Sequence, residues 1–183
     1  MYNESRNFKK EIIMQKKNLF LMVYGALFAA LIFIATYLFK LPTPVGYIHL
    51  GDGFVFIAAA VLPWPFALGA AAIGAGLSDL ILGYASWVLP TVIIKCACAI
   101  LFTNKKLRFF CLRNIIALPI AAIITVGGYY LFGSLIAGNF AACLVEMPLN
   151  LVQSAAGVCL FCIFGIVFDK SRAVRRIMTG GSR

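Results

Sequence analysis

Apolar residues run along this chain in long blocks, and short polar or turn-forming groups divide them. The first block covers residues 18–39 and is ended by a segment with two prolines within three residues, Pro42 and Pro44, which cannot continue a helix. A shorter block, 50–62, stops at Pro63-Trp64-Pro65. A third runs over 66–82 to the turn 83–86, and a fourth over 87–102 to the polar loop 103–114. A fifth covers 115–136, Ala137-Gly138-Asn139 turns the chain, and a sixth covers 140–168. Most of these blocks approach the ~20 residues that cross a bilayer as a helix. The pattern predicts an all-α membrane protein, a bundle of six transmembrane helices. The second block is the short one: ~13 residues rise only ~20 Å, so it either crosses incompletely or is re-entrant.

Composition and charge agree with this pattern. Of the 183 residues, 63% are hydrophobic and 12% charged, which does not suit a water-soluble globule. The length suits one integral membrane domain over residues 1–183, with a basic segment at 1–17 and a basic tail at 169–183. The net charge of +10 is concentrated in three groups. These are Arg6, Lys9, Lys10, Lys16 and Lys17; Lys105, Lys106, Arg108 and Arg113; and Lys170, Arg172, Arg175, Arg176 and Arg183. Positive groups separated by apolar spans follow the positive-inside rule, which predicts a multi-pass protein of the cell membrane with both ends cytoplasmic. The expected contacts of these groups are anionic lipid headgroups of the bilayer, not nucleic acid. The six cysteines do not form a disulfide pattern. Five lie in apolar blocks, where a free thiol packs as a small hydrophobe. The 18–39 block is too long for a cleaved signal and lacks a following cleavage site.

Against this apolar background, Asp52, Asp79, Lys95 and Glu146 stand out, with His49 beside the first. A charge at the bilayer centre costs ~2.5–3.5 kcal/mol on insertion scales. All of these residues fall in the outer half of the predicted bundle. Asp52 opens the second span, Asp79 lies one turn below the outer end of the third, Lys95 two turns below that of the fourth, and Glu146 one to two turns into the sixth. Asn150 and Gln153 follow Glu146 at i+4 and i+7, on one helix face. Tyr47, Tyr84 and Trp87 lie in outer loops and helix starts. Together these residues describe a polar cavity with aromatic walls, open to the outside. Simpler readings remain beside this one. The aromatics also suit an interfacial belt, Asp52 suits a helix cap, and Lys95 suits a structural pair with Asp79 or Glu146. The stripe on span six suits interhelical hydrogen bonding.

Enzyme chemistry finds little support. A single histidine excludes a metal site of several histidines. No phosphate-binding loop or nucleophile-elbow motif occurs, so ATP hydrolysis would have to come from a partner. No cofactor is expected. Small residues mark packing faces: Gly69, Gly76 and Gly83 recur every seven positions, and Ala26-x-x-x-Ala30 lies on span one. The latter suits either internal packing or docking on another membrane subunit.

Four stretches taken together carry a family resemblance. They are Gly46-Tyr47-Ile48-His49-Leu50-Gly51-Asp52; Leu77-Ser78-Asp79-Leu80 with Gly83-Tyr84; Leu89-Pro90-Thr91-Val92-Ile93-Ile94-Lys95; and Pro148-Leu149-Asn150-Leu151-Val152-Gln153. They resemble the substrate-binding S components of energy-coupling factor (ECF) transporters, over residues 18–170. The resemblance implies the six-helix S-component fold, uptake of a vitamin or related micronutrient, and an outward-facing site. The site residues expected on both grounds are Tyr47, His49, Asp52, Asp79, Tyr84, Trp87, Lys95, Glu146, Asn150 and Gln153. It also implies docking on a transmembrane coupling subunit served by two ATPases, with Ala26 and Ala30 matching the family's A-x-x-x-A motif. The aromatic walls favour a planar ring, and three carboxylates against one lysine favour a donor-rich or cationic ligand. A pyridoxine-like or hydroxymethylpyrimidine-like vitamin is therefore expected first and riboflavin next. The alternatives from other classes are a structural membrane protein of the rod-shape-determining kind and a small intramembrane enzyme.

Overall fold

A computed structural model describes residues 2–181, except for the side chains of residues 2–7, 9 and 10. Arg183 and the side chains of Arg6, Lys9 and Lys10 therefore lie outside the described residues. Seven α-helices form among the described residues, in the order α1 (Tyr2–Leu38), α2 (Gly51–Val61), α3 (Trp64–Ile81), α4 (Val88–Leu101), α5 (Leu112–Ala137), α6 (Glu146–Phe168) and α7 (Arg172–Met178). Short 3-10 turns, Ala85–Trp87 and Ala142–Val145, lead into α4 and α6. Two short strands, β1 (Leu41–Pro42) and β2 (Tyr47–Ile48), pair antiparallel between α1 and α2.

The expected helices are present in position, but their lengths differ from the six-span reading. Four segments are long and apolar enough to cross a membrane: Glu11–Leu38, Trp64–Ile81, Leu112–Ala137 and Ala142–Phe168. The α2 and α4 helices are shorter. For α2 the reason is its place. It packs against α1, α3, α4 and α6, and of its residues only Phe54 is not buried. A helix apolar all round and enclosed by protein has no lipid thickness to match. The basic segment expected at 1–17 continues α1, because no glycine or proline interrupts the chain before Gly25. The tail expected at 169–183 contains α7, whose Met178 is buried against the core.

The helices pack in series, α1 on α3, α3 on α4, α4 on α5, α5 on α6 and α6 on α2, and α2 closes the series against α1. Two glycines let α6 approach α2 closely. A Cβ on Gly53 would come within 2.7 Å of Leu160 Cβ, and one on Gly157 within 3.1 Å of Asp52 Cβ. Dispersion between close backbones drives helix association where lipid removes the hydrophobic effect. The expected heptad stripe on α3 divides instead of forming one face. Gly76 faces Val92 on α4, and Gly69 faces open space. Gly83 lies beyond α3 at φ +84°, making the turn to the next element. The tight contact with α1 belongs to Gly74, where a Cβ would come within 2.6 Å of the Ala29 carbonyl.

The three basic groups converge at one end of the bundle. Lys106 and Arg108 share a concavity with Arg172, Arg175 and Arg176. The backbone of Gly180 lies against the Lys17 side chain. The other end carries the β-hairpin and the turns before α4 and α6, and there the candidate site lies.

Candidate ligand site beneath the hairpin

Pro42 and Pro44 stop α1 and set a tight turn in which the Thr43 N–H bonds the Gly46 carbonyl at 3.0 Å. The resulting hairpin lies over the bundle and is fastened at three points. The Val45 N–H donates to Glu146 Oε1 at 3.1 Å, and the Tyr47 hydroxyl donates to Asp79 Oδ1. The His49 N–H donates to Gln153 Oε1 at 3.0 Å. Each acceptor belongs to a different turn of α3 or α6, so the fastening fixes the hairpin's register on the helices.

His49 itself is buried in the connecting segment. Its Nδ1 accepts the Gly51 N–H at 3.0 Å and lies 3.5 Å from Thr36 Oγ1. Burial pushes the imidazole pKa down to about 4; nearby Asp52 opposes this shift and Lys95 adds to it. The ring is therefore neutral at neutral pH, with its proton on Nε2.

Below the hairpin lies a buried polar network. Lys95 Nζ is 2.5 Å from Asp52 Oδ1, with side chains 1% and 0% exposed. Gln153 Nε2 donates to Asp52 Oδ2 at 3.0 Å, while the same amide's oxygen holds the His49 N–H. The ammonium also sits 4.8 Å from the centroid of the Tyr129 ring. One amide thus links the hairpin backbone to the ion pair. The expected partners of Lys95 were Asp79 or Glu146. The structure pairs it with Asp52, because the close α2–α6 contact at Gly157 brings Asp52 into the centre of the bundle.

Between hairpin and helices is a cavity with about 430 Å³ of atom-free space, its mouth included. Its interior is narrow. Trp87, Tyr129 and Tyr47 form its aromatic walls. The Trp87 indole fits between two glycines: a Cβ on Gly46 would lie 3.8 Å from it and one on Gly133 3.2 Å. Its ring centroid is 5.7 Å from that of Tyr129. Asp79, Thr91, Glu146, Asn150 and His49 supply the polar wall, and Val45 and Cys143 complete it. Two of these polar groups retain capacity. Asp79 Oδ2 is buried without a hydrogen-bond partner, and among the described residues the Asn150 amide has none either.

Of the ten residues expected at the site, six line the cavity: Tyr47, His49, Asp79, Trp87, Glu146 and Asn150. Asp52, Lys95 and Gln153 do not. They lie underneath, bonded to one another and to the hairpin. Tyr84 packs against the Tyr47 ring, tilted by 46° at 4.8 Å between centroids, and is absent from the wall. Glu146 is the first residue of α6, after a 3-10 turn, and not one to two turns inside. Sequence reasoning missed Thr91, Tyr129 and Cys143. Thr91 was within reach, four positions before Lys95 on one helix face. Tyr129 carried a weaker signal, a hydroxyl-tipped ring after Gly127-Gly128 in an apolar span.

The proposed docking residues Ala26 and Ala30 are both exposed on α1. They border an apolar groove completed by Phe66, Gly69 and Ile73 of α3.

Comparison with known proteins places this architecture. The chain is 28% identical over 143 residues to the "Uncharacterized protein in gap 3'region" of Pyrococcus woesei, covering 75% of this chain and 93% of that protein. Residues 16–170 match the family model of the ECF-type riboflavin transporter, S component. That match spans every element from α1 through α6, hairpin included, and the chain belongs to this family of S components, the substrate-binding membrane subunits of energy-coupling factor transporters.

Proposed function

We propose that this S component binds a small heteroaromatic vitamin with a donor-rich edge, in the cavity beneath the hairpin. The observation that carries the reading is the pairing of aromatic walls with carboxylate and amide groups that keep free capacity. Trp87 and Tyr129 offer ring faces. Asp79 Oδ2 and Asn150 offer an acceptor and an amide to a ring edge. The Asp52–Lys95 pair neutralises itself below the wall, so Asp79 and Glu146 set the charge that a ligand meets. A cationic or neutral donor-rich ring suits them better than a polyanion. The narrow cavity favours a single ring of the pyridoxine or hydroxymethylpyrimidine type. Riboflavin is the second reading, supported by the match to the riboflavin-transporter S-component family; its three-ring system requires the hairpin and Trp87 to move outward.

Thermal-shift titration of the purified protein with pyridoxine, hydroxymethylpyrimidine and riboflavin tests this. A ligand at a thousandfold excess over its Kd stabilises by about 4 kcal/mol. Asn150→Ala and Glu146→Ala should each weaken the positive ligand at least tenfold, about 1.4 kcal/mol. If none of the three vitamins shifts the melt, the ligand class is wrong. If one binds both variants like wild type, the cavity is not its site.

The exposed Ala26–Ala30 groove supports docking of α1 and α3 on the transmembrane coupling subunit, with the two ATPases behind it. Small residues there allow close helix approach. Ala26→Leu with Ala30→Leu should abolish vitamin uptake by the assembled transporter and leave ligand affinity unchanged. Uptake at the wild-type rate with normal expression would place the docking surface elsewhere. The basic end faces the cytoplasm in this arrangement and the hairpin end faces outward.

A further inference from the structure

The basic end holds a second concavity, with about 1190 Å³ of atom-free space, its open mouth included, lined by Lys106 and Arg108 from the loop before α5 and by Arg172, Arg175 and Arg176 from α7. We propose that it is a binding basin for the phosphate headgroup of an anionic membrane lipid. Five cations surround one space. Among the described residues none has a carboxylate within ion-pair distance. The nearest acid in sequence, Asp169, instead accepts the Phe109 N–H at 2.7 Å through Oδ1. Like charges held together without counter-charge repel, and a bound anion relieves that repulsion.

The five basic side chains are exposed, but the two segments that carry them are fixed relative to each other. Asn104 Nδ2 donates to the Met178 carbonyl at 3.3 Å and lies 3.5 Å from that of Val61, tying the loop to α7 and α2. Leu107, on the basin wall, adopts φ +53°, an unusual backbone for a branched residue, in a turn closed by its N–H to the Asn104 carbonyl at 3.1 Å. Met178 anchors α7 in the core. Arginine supplies forked donors that match phosphate oxygens in pairs. A lipid is favoured over free phosphate because exposed apolar surface directly precedes α7 in the chain. Ile166 and Val167, at the end of α6, are 75% and 62% exposed and provide a face for acyl chains.

The test is native mass spectrometry of the full chain, released from mixed micelles of phosphatidylglycerol and phosphatidylcholine. Wild type should retain phosphatidylglycerol preferentially. Arg172→Gln, Arg175→Gln and Arg176→Gln combined should reduce that retention at least tenfold. The corresponding triple Arg→Lys variant, which keeps charge but loses the forked donors, should fall in between and guards against misfolding of the first. Removing equal charge outside the basin, by Lys16→Gln, Lys17→Gln and Lys105→Gln, should leave retention within twofold. Millimolar inorganic phosphate should not displace the lipid. Equal retention of both lipids, or equal loss in the control variant, overturns the basin. Displacement by inorganic phosphate alone overturns the lipid as its occupant.

Discussion

Removing the charge of Lys95 should unfold the site from below, and removing its partner as well should restore it. Lys95 and Asp52 are 1% and 0% exposed at 2.5 Å separation. In Lys95→Met the Asp52 carboxylate keeps one partner, the Gln153 amide. Stranding a buried charge in this way costs about 3–5 kcal/mol, whereas replacing both members by neutral groups of similar volume is often near neutral. At ~2–4 °C per kcal/mol for a chain of this size, Lys95→Met should lower the midpoint of thermal unfolding by roughly 6–20 °C. Asp52→Asn combined with Lys95→Met should recover most of that loss, because asparagine still accepts the Gln153 N–H. Neither residue lines the cavity. The double variant should therefore bind the vitamin within about threefold of wild type. Melting in detergent and titration calorimetry on all four members of the cycle measure both quantities. A Lys95→Met protein that melts like wild type would show that no stranded charge results. A double variant as stable as wild type but unable to bind would place the pair in contact with ligand, as the sequence alone had suggested.

Three further outcomes follow from the same geometry. An introduced cysteine at Asn139 should react with an impermeant thiol reagent added outside whole cells and one at Lys106 should not; the reverse would invert the proposed orientation. Gly133→Val adds atoms at a site where a Cβ would already lie 3.2 Å from the Trp87 ring, and should push the indole into the cavity. Binding should weaken at least tenfold with a change in tryptophan emission, and unchanged affinity would mean that the indole does not border the ligand. Tyr47→Phe removes the hydroxyl held by Asp79 and frees one hairpin fastening. Ligand association and dissociation should both accelerate in stopped-flow measurements, and unaltered rates would show that the hairpin does not gate entry.

What the sequence disclosed follows from what a bilayer penalises. Charges are so costly in an apolar span that Asp52, Asp79, Lys95 and Glu146 could be singled out by type alone, and all four lie at or just beneath the cavity. Their partners were not legible, because pairing depends on which helices touch. The α2–α6 contact that sends Asp52 to Lys95 is made by Gly53 and Gly157, and a glycine in a sequence does not reveal which backbone it admits. The length of α2 was read as a doubtful crossing, and burial on nearly every face explains it. Tyr84 is expected at the site with Tyr47 and Trp87, as an aromatic of the outer loops and helix starts. Its ring packs tilted against Tyr47 and does not reach the wall. Tyr129 was overlooked because a tyrosine within an apolar span carries no penalty that demands explanation.

The polar groups at the hairpin end divide into those paired among themselves beneath the cavity and those that line it. Lys95 neutralises Asp52, and Gln153 engages both of its amide ends. Asp79 and Glu146 differ, since each gives one oxygen to the hairpin and presents the residue to the cavity. A ligand donor that reaches these carboxylates therefore meets the groups that hold the hairpin in place. Binding and hairpin position are linked through shared acceptors, and a ligand shifts the hairpin only by the difference in its affinity for the two positions. The small-residue groove on α1 and α3 shares α3 with Asp79, six residues along the helix from Ile73. The candidate site and the proposed docking face thus share α3, so a shift of α3 on ligand binding would reach the face proposed for the coupling subunit.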